Sequence, residues 1–210
     1  MALLLFDLDG TLVDSTDYLT RAIHLSLEDM RHIEEPSREL IQSAFGLTGG
    51  EFWSKVIPQA NAQEIIMIRE RRRIFLEQLV KGNDILFSGV RETLAALKKA
   101  GHTLSTASNC GTRYLDMVLD TQEIRQYFTS PICLGSIAGE KKADILTEHF
   151  KTFPKKDVYL IGDRSSDIEA ARAHQIPIYI CTYGFGHEEE WRAADERIDA
   201  IHKLVPMFEN

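Results

Sequence analysis

Apolar and polar positions along the chain fall into short alternating blocks. Five apolar runs stand out, at residues 2–6, 102–107, 131–134, 157–162 and 176–181. Most carry β-branched or aromatic residues and all are too short for a helix, so they read as buried strands. Helical patterns separate them. Residues 89–101 place Val90, Leu94 and Leu97 on one face and end at Gly101, a residue suited to a helix C-terminus. Residues 141–151 and 164–175 read the same way. Strand and helix in alternation predict an α/β fold, a Rossmann-like parallel sheet with helices on both faces. Such sheets bind ligands at the carboxyl ends of their strands.

One stretch breaks the alternation. From Val13 to about Asp84 no strand pattern occurs. Four helices are predicted there, near 15–31, 37–45, 50–57 and 61–81, with breaks at 45–50 and 56–62. The expected organisation is an α/β core made of residues 1–14 and 83–210. A helical cap, residues 15–82, is inserted after the first strand. No internal repeat or low-complexity segment is present.

Charge and cysteine content narrow the function classes. The formal net charge is −8. That argues against non-specific nucleic-acid binding and against attachment to an anionic membrane. No apolar run approaches the span of a bilayer. The opening residues 1–6 are too short, and lack the basic flank, for a secretory signal. Cys110, Cys133 and Cys181 are odd in number and widely spaced in sequence. They predict reduced, mostly buried thiols in a cytoplasmic protein, with no disulfide framework and no zinc site.

Candidate chemistry gathers where strands end. The first run leads straight into Asp7-Leu8-Asp9-Gly10-Thr11. The second ends in Ser108-Asn109. Lys141 and Lys142 open a helix, and the fourth run ends in Gly162-Asp163, with Asp167 one helical turn on. In a parallel sheet these four loops emerge on one edge. Each feature has an ordinary reading: Asp and Gly are turn residues, Asp167 could cap a helix, and one lysine could simply be solvated. Together they fit phosphoryl transfer. A carboxylate can attack phosphorus and split the hydrolysis into two steps. Asp7 and Asp163 offer hard oxygen ligands for Mg²⁺. A lysine balances the remaining charge, a serine hydroxyl holds a phosphoryl oxygen, and a second carboxyl serves as acid and then base.

These four motifs resemble those of the haloacid dehalogenase superfamily of hydrolases. The likeness is greatest to the phosphoglycolate phosphatase-like branch, and it extends through residues 183–191. The resemblance implies Asp7 as nucleophile and metal ligand. Asp9 is implied as general acid/base, with its backbone carbonyl on the metal. It further implies Ser108, helped by Asn109, as phosphoryl binder, and Asp163 and Asp167 as the rest of the Mg²⁺ site. Gly10 and Thr11 would shape the turn around the phosphate. The second acidic position, Asp9, favours a phosphatase or phosphomutase over a dehalogenase. No Pro follows the lysines, unlike one common form of that motif. Lys142, directly before Ala143-Asp144-Ile145-Leu146, matches the other form, and Lys141 is the competitor.

The expected function is thus a Mg²⁺-dependent phosphatase of a small phosphomonoester, acting through an aspartyl-phosphate. The alternative is a sugar phosphomutase of the β-phosphoglucomutase type, although no Arg-x-x-Ser pattern lies near residues 45–50. A phosphate-accepting signalling receiver domain is disfavoured by the helical insertion and the Asp7-x-Asp9 spacing. A catalytically idle binding protein is disfavoured by the intact acidic set. In the cap, the basic run Arg69 to Arg73, with Glu70 inside it, reads as a solvated helix face, with a phosphate or substrate clamp as the alternative. Arg72 lies nearest the stripe of Ile65, Ile68, Phe75 and Leu79, which makes it the inward-pointing member. His24, His32 and His102 read as surface or internally satisfied residues, and Trp53 and Trp191 as packing residues.

Overall fold

The computed structural model describes residues 1–209. Strands β1 (Leu3–Phe6), β2 (Thr103–Ser108), β3 (Ile132–Cys133), β4 (Val158–Gly162), β5 (Ile178–Cys181) and β6 (Glu196–Ile198) form one sheet in the order β3-β2-β1-β4-β5-β6. Every pairing is parallel. The first strand is therefore central, and the chain winds outward from it in both directions. Its residues alternate between two cores. Leu4 and Phe6 enter one with Leu94, Leu97 and Leu115, while Leu3 and Leu5 enter the other with Ile145, Leu146, Leu160 and Ile168. A strand buried on both faces has no polar alternation, which explains the unbroken apolar run.

Helices α1 (Thr16–Leu27), α2 (Arg38–Gln42), α3 (Gly49–Val56) and α4 (Ala62–Val80) occupy the insertion, with no strand among them. Helix α4 starts where Asn61 Oδ1 accepts from the amides of Gln63 and Glu64, and Glu64 returns a bond to the Asn61 amide. Buried Leu19, Ala22 and Ile23 of α1 join Ile68 and Leu76 of α4 in the same core that underlies Leu4 and Phe6. Two expected helices are shorter than their patterns. After Leu27 the chain turns, burying Met30 and Ile33. After Gln42 the amides of Ala44, Phe45 and Leu47 bond three residues back, tightening into turns.

The rest of the chain adds α5 (Val90–Lys99), α6 (Thr112–Thr121), α7 (Lys142–His149), α8 (Ser165–His174), α9 (Glu188–Trp191) and α10 (Leu204–Phe208). Helix α6 and strand β6 carry no expectation from the sequence reading. The β-pattern at 131–134 shrinks to the two residues of β3, because Leu134 begins a 3₁₀ turn.

The cysteines are free, as three thiols. Cys110 and Cys133, far apart in sequence, bring their thiols together beside the end of β2. The hydrogen bond from Cys110 draws the Cys133 thiol down to about 6 and pushes Cys110 up. His102 is buried and bridges the Ala2 amide and the Phe208 carbonyl, and His24 bonds the Pro36 carbonyl. Among the described residues, no helix is long and apolar enough to cross a membrane.

Candidate active site

Register places the chemistry. Phe6 is level with Thr106 of β2 and Ile161 of β4. The residues that follow, Asp7, Ala107-Ser108 and Gly162-Asp163, therefore leave the sheet together at its carboxyl edge. Asp7, Asp163 and Asp167 are buried, and one oxygen from each lies within 4.8 Å of the others.

Lys142 enters this cluster from the start of α7. Its Nζ donates to Asp7 Oδ2 at 2.5 Å and to Asp167 Oδ1 at 2.6 Å. Lys141 stands one residue outside the helix and is exposed. The boundary is set by Asp144, whose Oδ2 accepts from the Glu140 and Lys141 amides. Asp167 plays the same part for α8, accepting at Oδ2 from the Asp163 and Arg164 amides. Asp167 is thus both a helix-start acceptor and a partner of Lys142. Burial alone would lower the lysine, but Asp167 and Asp7 reverse this and hold it firmly protonated.

Three buried carboxylates face one ammonium, which leaves excess negative charge. Burial, together with repulsion from Asp167 and Asp7, pushes Asp163 well above the usual carboxylate range. Burial likewise moves Asp167 up to about 6, against the pull of Lys142. An all-oxygen, over-anionic cluster of this kind fits a hard divalent cation.

Close packing fixes the cluster. A Cβ on Gly162 would stand 2.1 Å from Asp167 Cγ, and one on Gly10, at φ +82°, would stand 2.1 Å from Asp163 Oδ2. Only glycine lets the backbone approach the carboxylates there. Thr11 turns toward Asp163, its hydroxyl 3.4 Å from Oδ1, and its carbonyl accepts from the Tyr183 hydroxyl. The Phe185 amide donates to Asp163 Oδ2 at 2.7 Å, and Trp191 Nε1 donates to the Asp163 carbonyl at 2.8 Å.

Asp9 points elsewhere. Its carboxylate is not part of the acidic cluster; its Oδ1 accepts from Ser15 Oγ at 2.6 Å and from the Tyr114 hydroxyl at 2.5 Å. Burial pushes Asp9 up to about 6, although both donors pull it down. An acid in that range is well matched to proton transfer near neutral pH. Tyr114, on α6, is the partner that the sequence reading missed. The signal was present in Leu115, Val118 and Leu119, whose spacing marks a helix with Tyr114 in its first turn.

Asp7, Asp9 and Ser108 line a cavity of about 980 Å³ whose opposite wall comes from the helical insertion, including Phe52, Trp53, Arg69, Arg72 and Arg73. Asn109 lines it too, but its amide nitrogen donates to the Gly46 carbonyl at 2.8 Å, tying the core to the insertion. Arg164 makes a second such tie, to the Phe45 carbonyl, and Phe45 stacks on Phe185 at 4.8 Å between ring centroids.

Comparison with known proteins fits this geometry. The haloacid dehalogenase-like hydrolase family matches residues 4–180. The phosphoglycolate phosphatase of Aliivibrio fischeri is 28% identical over 199 residues, spanning 89% of this chain and 86% of its own. That of Pseudomonas putida is 27% identical, across 97% of this chain and 78% of its own. Among solved structures, a predicted phosphoglycolate phosphatase from Haemophilus somnus superposes with a TM-score of 0.89 at 22% identity, covering 99% and 97% of the two chains. CbbY from Rhodobacter sphaeroides, in complex with xylulose-(1,5)bisphosphate, gives 0.82 at 19% identity, covering 97% and 96%. The chain belongs to the haloacid dehalogenase-like hydrolases, on their phosphoglycolate phosphatase-like branch, and is a phosphoric monoester hydrolase.

Proposed function

We propose that the protein is a Mg²⁺-dependent phosphatase of a small, phosphoglycolate-like phosphomonoester, working through an aspartyl-phosphate on Asp7. The observation that carries this reading is the pairing of two carboxylates with opposite surroundings. Asp7 sits in the acidic cluster, ion-paired to Lys142, whereas Asp9, two residues on, is held apart by neutral donors. These surroundings support a nucleophilic role for the first, beside a charge-balancing group, and a proton-carrying role for the second.

Asp7 and Asp163 would hold the Mg²⁺, with Asp167 beside them and the Asp9 backbone carbonyl in reach of the same turn. When bound, the ion neutralises charge on the phosphoryl group and orients it. The chain's own groups do the rest. Ser108 and the loop amides hold phosphoryl oxygens. Asp7 forms the new O–P bond as the bond to the leaving alcohol breaks, and Asp9 gives that alcohol its proton. Asp9 then takes a proton from water, which attacks phosphorus and releases phosphate from Asp7. Lys142, paired with Asp7 Oδ2, keeps the attacking carboxylate directed.

Rapid-quench kinetics on two variants test the roles. Asp7→Asn should form no phosphoenzyme and lose turnover outright. Asp9→Asn should show a stoichiometric burst with an aryl phosphate, whose leaving group needs little protonation, followed by slow turnover. With an alkyl phosphate the burst itself should be slow. Phosphate found on Asp9 in the parent protein, or parental turnover by Asp7→Asn, would overturn the assignment.

A further inference from the structure

Two loops meet at the carboxyl edge of the sheet, and each carries a cysteine. Ser108 of β2 is level with Cys133 of β3, and Cys110 follows Ser108 by two residues, in the bend before α6. The Gly135 amide donates to the Cys110 carbonyl at 3.1 Å, and a Cβ on Gly135 would stand 2.7 Å from Gly111 Cα. The loops therefore touch main chain to main chain, and the two thiols meet beside that contact.

The two sulfurs differ in setting. Cys133 is fully buried, yet its sulfur faces polar groups, the amides of Gly135 and Ser136 and the Thr112 hydroxyl. Donors around a sulfur favour the thiolate, the form that attacks. The main chain of Cys133 is pinned: its amide donates to Ser136 Oγ at 2.9 Å, and that hydroxyl donates to the Cys133 carbonyl at 2.8 Å. Cys110 is half-buried and lines the cavity, so a small solute there reaches it. Cys181, by contrast, lies in the core, and burial pushes its thiol up. No step of the proposed hydrolysis uses any of the three.

We propose that Cys110 and Cys133 form a dithiol site for a hydroperoxide, and that their disulfide switches off the neighbouring phosphoryl site. The Cys110 sulfur attacks one peroxide oxygen as the O–O bond breaks, and the departing hydroxide takes the thiol proton and leaves as water. The Cys133 thiolate then attacks the sulfur of the sulfenic acid so formed. The S–S bond forms, the S–O bond breaks, and the second oxygen leaves as hydroxide. Each sulfur gives up one electron, and two thiols with one hydrogen peroxide become one disulfide and two waters. An S–S bond is about 2.0 Å long, so the sulfurs must close up. With Cys133 held in its turn, the movement falls on Cys110. Ser108 and Asn109, which holds the Gly46 carbonyl, are its immediate neighbours in the chain. A displacement of about 1 Å there is enough to lower turnover about 10²-fold. Disulfide formation is independent of the phosphatase reading; only the loss of turnover rests on it.

Treating the purified protein with hydrogen peroxide in Mg²⁺ tests both halves. Thiols counted after denaturation should fall from three to one, and digestion without reductant should yield a peptide linking Cys110 to Cys133. Aryl phosphatase turnover and calorimetric affinity for inorganic phosphate should each drop about 10- to 100-fold, and dithiothreitol should restore both. Cys133→Ser should give no linked peptide and leave a sulfenic acid that can be trapped on Cys110. Cys110→Ser should give no linked peptide either, and it carries the test if the other variant does not fold. Cys181→Ser should oxidise and recover as the parent does. Three thiols surviving peroxide, a link that includes Cys181, or a Cys110–Cys133 disulfide that changes neither readout would overturn the proposal. A linked peptide with weakened phosphate binding, in a protein that releases phosphate from no monoester, would sink the phosphatase reading and uphold the dithiol switch; hydrolysis that peroxide leaves unchanged would do the reverse.

Discussion

Replacing Lys142 by alanine separates the adjacent lysines and has a cost that the geometry sets. Lys142 lies 2.5 Å from Asp7 and 2.6 Å from Asp167, with all three side chains at most 5% exposed. At an effective dielectric of about 20, each contact is worth roughly 6 kcal/mol of Coulomb energy. Desolvation of the three ions offsets much of that, so the net loss on removing one partner is about 3–5 kcal/mol. For a chain of this size, 1 kcal/mol moves Tm by about 2–4 °C. Lys142→Ala should therefore melt roughly 6–20 °C below the parent in chelator. Added Mg²⁺ should recover part of the difference, because a cation in the same cluster replaces some of the missing charge. Catalysis should not recover. Loss of a preorganised donor at the phosphoryl site costs about 10²–10³-fold in kcat, and this one also directs Asp7. Lys141 is exposed, and Lys141→Ala should fall within about 0.5 kcal/mol and a few-fold of the parent. Scanning calorimetry with and without chelator, beside aryl phosphatase kinetics, reads both. A larger loss in Lys141→Ala would show that the ion-paired lysine is not the working one.

Two further outcomes follow from the carboxylates. Asp163 and Asp167 are raised above their unfolded values, so their ionisation in the metal-free fold is disfavoured and stability is lost as pH rises through their folded range, near 6 for Asp167. The Tm gain from Mg²⁺ should consequently be larger at pH 7.5 than at pH 5, and equal gains would count against a cluster built for a cation. Tyr114→Phe removes one of the two donors that lower Asp9. The pH range over which Asp9 ionises should move upward in kcat profiles with an alkyl phosphate, with a loss of about tenfold at neutral pH; an unchanged profile would show that the hydroxyl does not act through Asp9.

The parts of the site legible in the sequence are those written in neighbouring residues. The run Leu3 to Phe6 followed by Asp7 and Asp9 states both a central strand and two acids at its end. Residue type alone did not separate Lys141 from Lys142; the resemblance favoured Lys142 from the Ala143-Asp144-Ile145-Leu146 that follows it, and Lys142 is the one that meets Asp7 and Asp167. Asp144 accounts for this, because a carboxylate three residues past Lys141 reaches back to the Lys141 amide and starts the helix at Lys142. Strand β6 had no apolar run to betray it. Glu196 and Arg197 are exposed on an edge strand, and only Ile198 reaches the core. Arg72 was legible as inward-facing from its stripe.

The two ties between the core and the insertion both end on main-chain oxygens, the Gly46 carbonyl for Asn109 and the Phe45 carbonyl for Arg164. A clasp of that kind is blind to the side chains of the loop it grips. Leu47 and Thr48, next to it, can be exchanged without removing either hydrogen bond. Docking and selectivity are thus under separate genetic control. Mutations can redraw the wall beside the cavity while the grip on the Phe45 and Gly46 carbonyls persists, so single substitutions can change what the cavity accepts without loosening the contact between core and insertion.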